Sequence, residues 1–363
     1  MKILIDIGHP AHVHYYKNLI KIMENKGHQF RIVARDRSVI FKLLDFYRIK
    51  FVSRGNGSNS IIGKIFYAFG CLSKIYIEAI KFKPDLFLSQ GGVYTSSIAW
   101  LLRKPNISTE DTENAVLSHK IAKLFGSYIL SPNCFNSNLG KRHIKYNGYQ
   151  ELFYLHPKYF CPNESIYKSL GIPKGEKFMI IRFVDWNAHH DIGHKGISYE
   201  NKIKAVNEFL KYSKVFILSD SKLPKELMKF RIKILPEKMH DALYYAEMLY
   251  GESSTMASES ACLGTPAFFI DDEGRGYTNE EETNYGLVFN FKESIPEQHK
   301  SIEKALQLLS QNNLKENFKS GHKRLLEDKI DVTAFLVWFI EEFPQSFTIC
   351  KNNPNFQHKF DSK

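Results

Sequence analysis

Three consecutive hydroxyl residues, Ser253, Ser254 and Thr255, follow an apolar run that ends at Tyr250, and Glu259 stands six residues after the first of them. Small hydroxyl residues just after a strand open a helix well. The exposed N–H groups and positive dipole end of such a helix suit a diphosphate. A carboxylate on its first turns suits the two hydroxyls of a ribose, as in dinucleotide folds. The plainer alternative is a Ser N-cap followed by a solvated Glu. Gly264-Thr265-Pro266 then ends the helix and starts the next strand, and this strand–loop–helix–Gly-x-Pro–strand order favours the ligand reading.

Four other segments carry candidate chemistry. His9, His12 and His14 crowd the turn after the first apolar run, where an imidazole titrating near neutrality suits a general base toward an acceptor hydroxyl. His12 is the first choice for that role and His9 the second. A metal held by the three is the rival, and it lacks a carboxylate or thiolate partner; loop histidines bonding only to backbone are the plain alternative. Gly91 and Gly92 in Ser89-Gln-Gly-Gly-Val-Tyr allow a backbone to approach a ligand or turn tightly. Glu110, Asp111 and Glu113, with Asn114, cluster after a strand; they offer a catalytic carboxylate, sugar-binding groups, or only an acidic helix start. Arg182 ends the first strand of the second half, where a guanidinium suits a diphosphate leaving group. Asp185, Trp186, His189, His190 and His194 fill the loop that follows it.

These residues carry a resemblance. Residues 251–266 resemble the donor-binding motif of GT-B enzymes. Those include the N-acetylglucosaminyltransferase of peptidoglycan lipid-intermediate synthesis and the hydrolysing UDP-N-acetylglucosamine 2-epimerases. The resemblance implies that Ser253, Ser254 and Thr255 touch phosphate and Glu259 the ribose. This sequence has Ser-Thr where the relatives often have Gly-Gly. His12-Val13 matches the loop of the transferase that ends in His-Val. Gly91-Gly92 resembles its Gly-Gly-Tyr loop, and Gly92 stands where the epimerase uses an Asp. Glu110 falls where epimerases carry a catalytic Glu, and Glu113-Asn114-Ala115 where the transferase carries Gln-Asn-Ala. Leu235-Pro236 with Met239-His240-Asp241 resembles the segment whose backbone reads the nucleobase, which makes His240 a donor-side residue. The chain to about residue 343 resembles more closely still an uncharacterised bacterial and archaeal family described as related to lipid-A-disaccharide synthase. Its hallmarks here are Asp6-Ile-Gly-His-Pro-Ala-His-Val-His14, residues 182–193 and residues 251–266.

The elements that must position these groups alternate. Short apolar runs at 2–7, 29–34, 50–52, 85–89, 106–108 and 127–130 read as strands, separated by helical segments at 12–25, 39–46 and 61–81. Near 131–162 the periodicity fades, which places the connection between domains there. A second series follows, with strands at 178–183, 214–218, 232–235, 248–251 and 266–270 and helices at 199–212, 222–230, 239–246 and 256–263. Helices at 295–309 and 331–343 close it. The expectation is α/β: two Rossmann-like doubly wound domains facing a cleft, the GT-B type. The first, acceptor-side domain spans 1–150 and the second, nucleotide-sugar domain 160–330. A helix over 331–345 returns to the first domain, and 346–363 is a disordered tail.

Composition narrows the function classes. The 363 residues carry 50 Lys and Arg against 39 Asp and Glu, a net charge of +11 that favours anionic partners. The basic residues are spread rather than clustered, and no nucleic-acid motif appears, so nucleic acid is not expected as a partner. The five scattered cysteines show no Cys-x-x-Cys pair and suit a reducing compartment. No secretory leader and no apolar run long enough to cross a bilayer is read, so a cytoplasmic location is expected. Residues 61–81 mix Ile, Phe and Lys as either a helix lying on an anionic membrane at the inner face of the cell membrane, or a core helix with a wet basic face.

Taken with the resemblance, the expected function is transfer of a sugar from a nucleotide-sugar donor such as a UDP-sugar to a cell-surface glycan or lipid-linked acceptor, as in polysaccharide biosynthesis. The alternatives are a hydrolysing nucleotide-sugar 2-epimerase and a non-catalytic sugar-nucleotide-binding protein. No cofactor and no metal is expected.

Overall fold

A computed structural model describes residues 1–57, 60–184, 196–219 and 223–361. The chain forms two compact units. One holds Met1–Tyr154 and Lys329–Lys363, the other Leu155–Asp328. The Rossmann-like α/β pattern expected from the alternation is present in both.

The first unit runs β1 (Lys2–Ile7), α1 (Pro10–Asn25), β2 (Gln29–Ala34), α2 (Ser38–Phe46), β3 (Phe51–Ser53), α3 (Ile61–Phe82), β4 (Leu86–Gln90), α4 (Thr95–Leu101), β5 (Asn106–Thr109), α5 (Val116–Leu124), β6 (Tyr128–Pro132) and β7 (His143–Tyr146). Among the described residues these strands make a seven-stranded sheet in the order β3-β2-β1-β4-β5-β6-β7. Every pairing is parallel, with Ile5 beside both Ile32 and Leu88. Near-continuous apolar strands such as Ile3-Leu4-Ile5 are fully buried, as a parallel sheet covered on both faces requires. The neighbouring of β1 and β4 reverses the winding. It therefore makes a switch point at the carboxyl edge, where loops diverge and leave a crevice.

After α6 (Leu152–Leu155) the second unit runs α7 (Ser165–Leu170), β8 (Phe178–Phe183), α8 (Tyr199–Phe209), β9 (Lys214–Ser219), α9 (Met239–Tyr245), β10 (Leu249–Gly251), α10 (Ser254–Cys262), β11 (Ala267–Ile270), α11 (Gly276–Thr283), β12 (Val288–Phe291), α12 (Ile295–Leu309) and α13 (Leu314–Asp328). Its parallel sheet has the order β12-β11-β10-β8-β9, which places its switch point between β8 and β10. Met179, Ile181, Phe209, Tyr250 and Phe268 lie at its core.

The chain then returns to the first unit as α14 (Val332–Glu341), packed on α1, and α15 (Gln345–Asn352).

Several expectations are corrected. Residues 346–363 were expected to be disordered, yet 345–352 are helical and Pro354–Phe360 form a 3₁₀ turn. Trp338 stacks on Phe356 at 4.8 Å, Tyr128 meets Phe347 at 4.9 Å, and the amide of Asp331 donates to the carbonyl of Phe360. Aromatic side chains scattered among polar residues thus find partners distant in sequence, which local composition does not reveal. The stretch 131–162 is not a plain connector. It contributes β7, and Tyr146, Tyr149, Phe153 and Tyr154 are buried in the first unit. The strand expected at 232–235 is absent, and only a single bridge joins Ile217 to Arg231. The helix expected over 222–230 is a 3₁₀ turn, Lys225–Phe230, with Lys222 itself outside the described residues. Elements α11, β12 and α13 were not foreseen.

β7 supplies a pH-dependent contribution to stability. His143 accepts the Leu139 amide at Nδ1, 3.2 Å, and its Nε2 meets Ser131 Oγ at 2.8 Å. Burial, then the nearby Lys145 and Lys351, lower its pKa to about 4. Unfolded, the imidazole titrates near 6.5. The unfolded chain therefore binds more protons between these values, and stability falls as pH drops from about 6.5 to about 4. Urea midpoints measured across that window should fall less steeply for His143→Gln than for the wild type, the two slopes differing by up to one bound proton.

Candidate functional site

In the first unit, the carboxyl edge of β1, β2, β3 and β4 surrounds a cavity of about 230 Å³. It is lined by Asp6, Gly8, His9, His12, Arg35, Arg54, Tyr67, Gln90, Val93 and Tyr94. Most come from a strand end or the loop after it, with His12 from α1 and Tyr67 from α3, which is why residues so far apart in sequence meet. Arg54 Nε lies 2.7 Å from Asp6 Oδ1, and Nη1 donates to Tyr67 Oη at 2.6 Å and Cys71 Sγ at 3.0 Å. Burial opposes the charge on Arg54, but Asp6 overrides it and holds the guanidinium as a cation. Burial pushes the Asp6 carboxyl up and Arg54 pulls against that. Removing one partner of such a buried pair costs about 3–5 kcal/mol.

His9 and His12 are together here, with rings 5.9 Å apart, whereas His14 is turned away to stack on Tyr154. This separates the three histidines of the rival metal reading, and among the described residues no cluster of three His, Cys, Asp or Glu could hold a metal ion. His9 is the N-cap of α1, its Nδ1 accepting the Ala11 amide at 3.3 Å, with Pro10 in the first turn. His12 Nδ1 accepts the Gly8 amide, also at 3.3 Å. A ring nitrogen that accepts an N–H is unprotonated, so each neutral imidazole carries its proton on Nε2. Burial, then His9 and Arg54, push the pKa of His12 well below 6.5 and keep it neutral. In this arrangement His12 and His9 each present an Nε2–H donor, while Nδ1 is turned to the backbone.

The structure does not bring Glu110 to this cavity. It is only 2% exposed, with Oε1 accepting from Ser118 Oγ at 3.0 Å and Oε2 3.4 Å from His119 Nε2. The single Ser118 hydroxyl hydrogen is shared between Glu110 and the carbonyl of Gly91. Glu110 and Ser118 thus fix the Gly91-Gly92 turn. Both glycines have positive φ, and a Cβ on Gly92 would press on Ser96 and Ser108. These glycines serve a tight, filled turn. Glu113 accepts from the Asn136 amide at 3.4 Å, and Asn114 is exposed just before α5.

In the second unit, Arg182 and Gly251 lie side by side at the ends of β8 and β10. Ser253 caps α10, its hydroxyl accepting the Met256 amide at 3.4 Å. Ser254 and Thr255 follow in the first turn, where N–H groups have no intrahelical partner. Glu259 sits further along α10 and is 6% exposed; its Oε1 is 3.0 Å from Nε2 of His240 on α9. Arg182, the helix start and the Glu259–His240 pair thus belong to one end of one unit. Residues Asp185, Trp186, His189, His190 and His194 lie outside the described residues.

Sequence reasoning missed Glu252. Its carboxylate is buried and accepts the amides of Val184 at 2.7 Å and Ile197 at 2.6 Å, tying the chain after β8 to the start of α8. It also missed Arg35 and Arg54. The available signal was a charged residue one step past each of two short parallel strands.

Residues 1–272 match the family described as "Protein of unknown function (DUF354)". The chain belongs to that family. MJ0665 of Methanocaldococcus jannaschii, described as an uncharacterized protein, is 26% identical to this DUF354 chain over 278 residues, 73% of this chain and 80% of MJ0665. Among solved structures, the UDP-GlcNAc 2-epimerase of Neisseria meningitidis bound to UDP-GlcNAc is similar, with a TM-score of 0.67 and 13% identity over 94% of this chain and 100% of that one. Spinosyn rhamnosyltransferase SpnG complexed with spinosyn aglycone gives a TM-score of 0.60 and 12% identity over 94% and 100%. At these identities the likeness is one of fold. The DUF354 chain has two Rossmann-like domains of the GT-B fold, a fold shared with the glycosyltransferase and the UDP-GlcNAc 2-epimerase above.

Proposed function

We propose that this DUF354 protein is a GT-B glycosyltransferase. Its second unit binds a nucleotide-sugar, and its first unit binds a glycan or lipid-linked acceptor. The observation that carries the reading is the end of the second sheet. Arg182 and the open first turn of α10 at Ser253, Ser254 and Thr255 meet at the switch point between β8 and β10, with the Glu259–His240 pair on the same helices. Anions bind where unpaired amides and a dipole converge. A guanidinium there neutralises the departing diphosphate, which supplies most of the catalysis in such a transfer. Glu259, oriented by His240, takes the ribose. In the first unit His12 donates a hydrogen bond to the acceptor, and Glu110 acts by fixing the Gly91-Gly92 turn. The test is incubation with UDP-sugars, with and without a panel of glycan and polyprenyl-phosphate acceptors. UDP release that requires an acceptor supports transfer. Conversion of the UDP-sugar alone would make the protein an epimerase, and tight UDP binding without turnover a binding protein.

The exposed face of the first unit supports an anionic membrane surface as partner. Ile62, Phe66 and Phe69 on α3, spaced on one helical face, are exposed, Phe66 by 72%, while Cys71, Ile75 and Ala79 face the core. Trp100 on α4 and Leu117 and Leu124 on α5 are exposed too. α3 contacts α4, and α4 contacts α5. Lys64, Lys81, Arg103, Lys104, Lys120 and Lys123 stand exposed on or beside the same helices. Apolar side chains ringed by cations suit an anionic bilayer surface. Among the described residues no helix is long and apolar enough to cross a membrane. Co-sedimentation with vesicles containing phosphatidylglycerol should exceed that with phosphatidylcholine alone. The double substitution Phe66→Ser, Phe69→Ser should lower the bound fraction about tenfold. Equal sedimentation of variant and wild type would discard this face as the contact.

A further inference from the structure

We propose that the cavity at the carboxyl edge of the first sheet is an oxyanion site, holding one carboxylate or phosphate group between Arg35 and the Nε2–H of His12. The proposal deepens the reading of the first unit as the acceptor-binding half and rests on it only for the identity of the molecule that carries the group.

The first argument is charge. Two guanidiniums, Arg35 and Arg54, line the cavity with a single carboxylate, Asp6, and Asp6 is committed to Arg54. The Arg35 side chain makes no hydrogen bond or ion pair to any described residue. Its Nε is buried without a partner, and its guanidinium lies over the Tyr67 ring, 5.7 Å from the centroid. A buried donor left without an acceptor is costly, and a charged one more so. An oxyanion supplies that acceptor, in the planar two-bonded geometry that guanidinium favours.

The second argument is direction. His12 Nδ1 is taken by the Gly8 amide, and Nε2 has no hydrogen-bond partner among the described residues. The imidazole sits in the first turn of α1, at the positive end of a sixteen-residue helix. Neutral imidazole, helix dipole and unpaired guanidinium all select for negative oxygen. Gly8 keeps the approach to Arg54 open, since a Cβ there would come within 3.1 Å of its Nη2.

The third argument is size. A volume of about 230 Å³ is below the roughly 300–1,000 Å³ typical of sites that enclose a whole small molecule. The cavity therefore receives a head group rather than an entire nucleotide-sugar. A purely structural role for Arg35, which also lies against Gly57, is the competing explanation.

The test uses the full-length protein labelled with ¹⁵N-histidine. The His12 imidazole signal is assigned by its loss in His12→Gln and followed during titration with inorganic phosphate, glucuronate or, as neutral control, glucose. A saturable shift with either anion and none with glucose is expected. Arg35→Gln should weaken that response at least tenfold while leaving the urea midpoint in place. A response to phosphate alone identifies a phosphate group, and one to glucuronate alone a carboxylate. No saturable shift with either anion, or equal affinity in Arg35→Gln, overturns the site. UDP binding measured by calorimetry on the same samples separates the two proposals. Anion binding without UDP binding sinks the glycosyltransferase reading and leaves the oxyanion site standing. UDP binding without anion binding sinks the oxyanion site alone.

Discussion

Glu259→Ala should lower the affinity for UDP about a hundredfold in isothermal titration calorimetry. Two ribose hydroxyls donating to one carboxylate make two charge-assisted hydrogen bonds. At about 1.5 kcal/mol or more each, their loss amounts to about two powers of ten. The substitution also touches packing, because Glu259 meets His240 at 3.0 Å inside the α9–α10 contact. Alanine removes the carboxylate that meets the buried imidazole, at a cost of about 1–3 kcal/mol in stability. The protein should still fold, with a lower melting temperature. Glu259→Gln separates the two effects. Its amide oxygen still accepts from His240, so stability should recover most of the loss, while UDP affinity stays about tenfold below wild type because the charge is gone. Wild-type UDP affinity in Glu259→Ala would assign the carboxylate to helix packing alone and remove the ribose contact from the proposed donor site.

The second large effect concerns stability. Gly251→Ala should lower the unfolding temperature of the second unit by about 8–16 °C in scanning calorimetry. Gly251 ends β10 directly beside Arg182 of β8, and a Cβ there would strike the carbonyl oxygen of Arg182. The obstacle is backbone in a central strand pair, so no side chain can swing aside; β8 and β10 must part. Separation also disturbs Glu252, whose carboxylate holds the amides of Val184 and Ile197. Losses above about 4 kcal/mol come from such steric conflicts and broken buried networks, and at roughly 2–4 °C per kcal/mol a loss of 4 kcal/mol moves the transition of a domain this long by about 8–16 °C. Gly286→Ala is the control. Gly286 also has positive φ, but a Cβ there meets nothing within 4 Å. Its cost should be only the backbone term of about 1 kcal/mol. Similar effects at the two positions would show that the close approach of β8 and β10 is not what requires glycine at 251.

The candidate sites were legible to different depths. The candidate segment of the second unit was legible because its parts are contiguous. Tyr250 to Glu259 is one strand, one turn and one helix, and Ser253 takes the cap position that its residue type favours. The hydrogen-bond settings of His9, His12 and Glu110 were not. Their residue types suited base chemistry, but a role in catalysis depends on which atom faces the cavity. Backbone amides of Gly8 and Ala11 take the Nδ1 positions, and Ser118 and His119 take the Glu110 carboxylate. No spacing rule contains that information.

By itself the sequence determined that the chain alternates strands and helices twice over, because burial of a parallel strand or of one helix face is written into neighbouring residues. It likewise determined the Ser253 helix start with Glu259 beyond it. Tertiary structure alone decided that Arg35, Arg54, His12 and Gln90 share one cavity, since that follows from β1 lying between β2 and β4. It also decided that residues 345–360 fold back onto Trp338 and Phe335. Periodicity acts over a few residues, whereas strand order and the docking of distant aromatics are set by the summed packing of the whole unit.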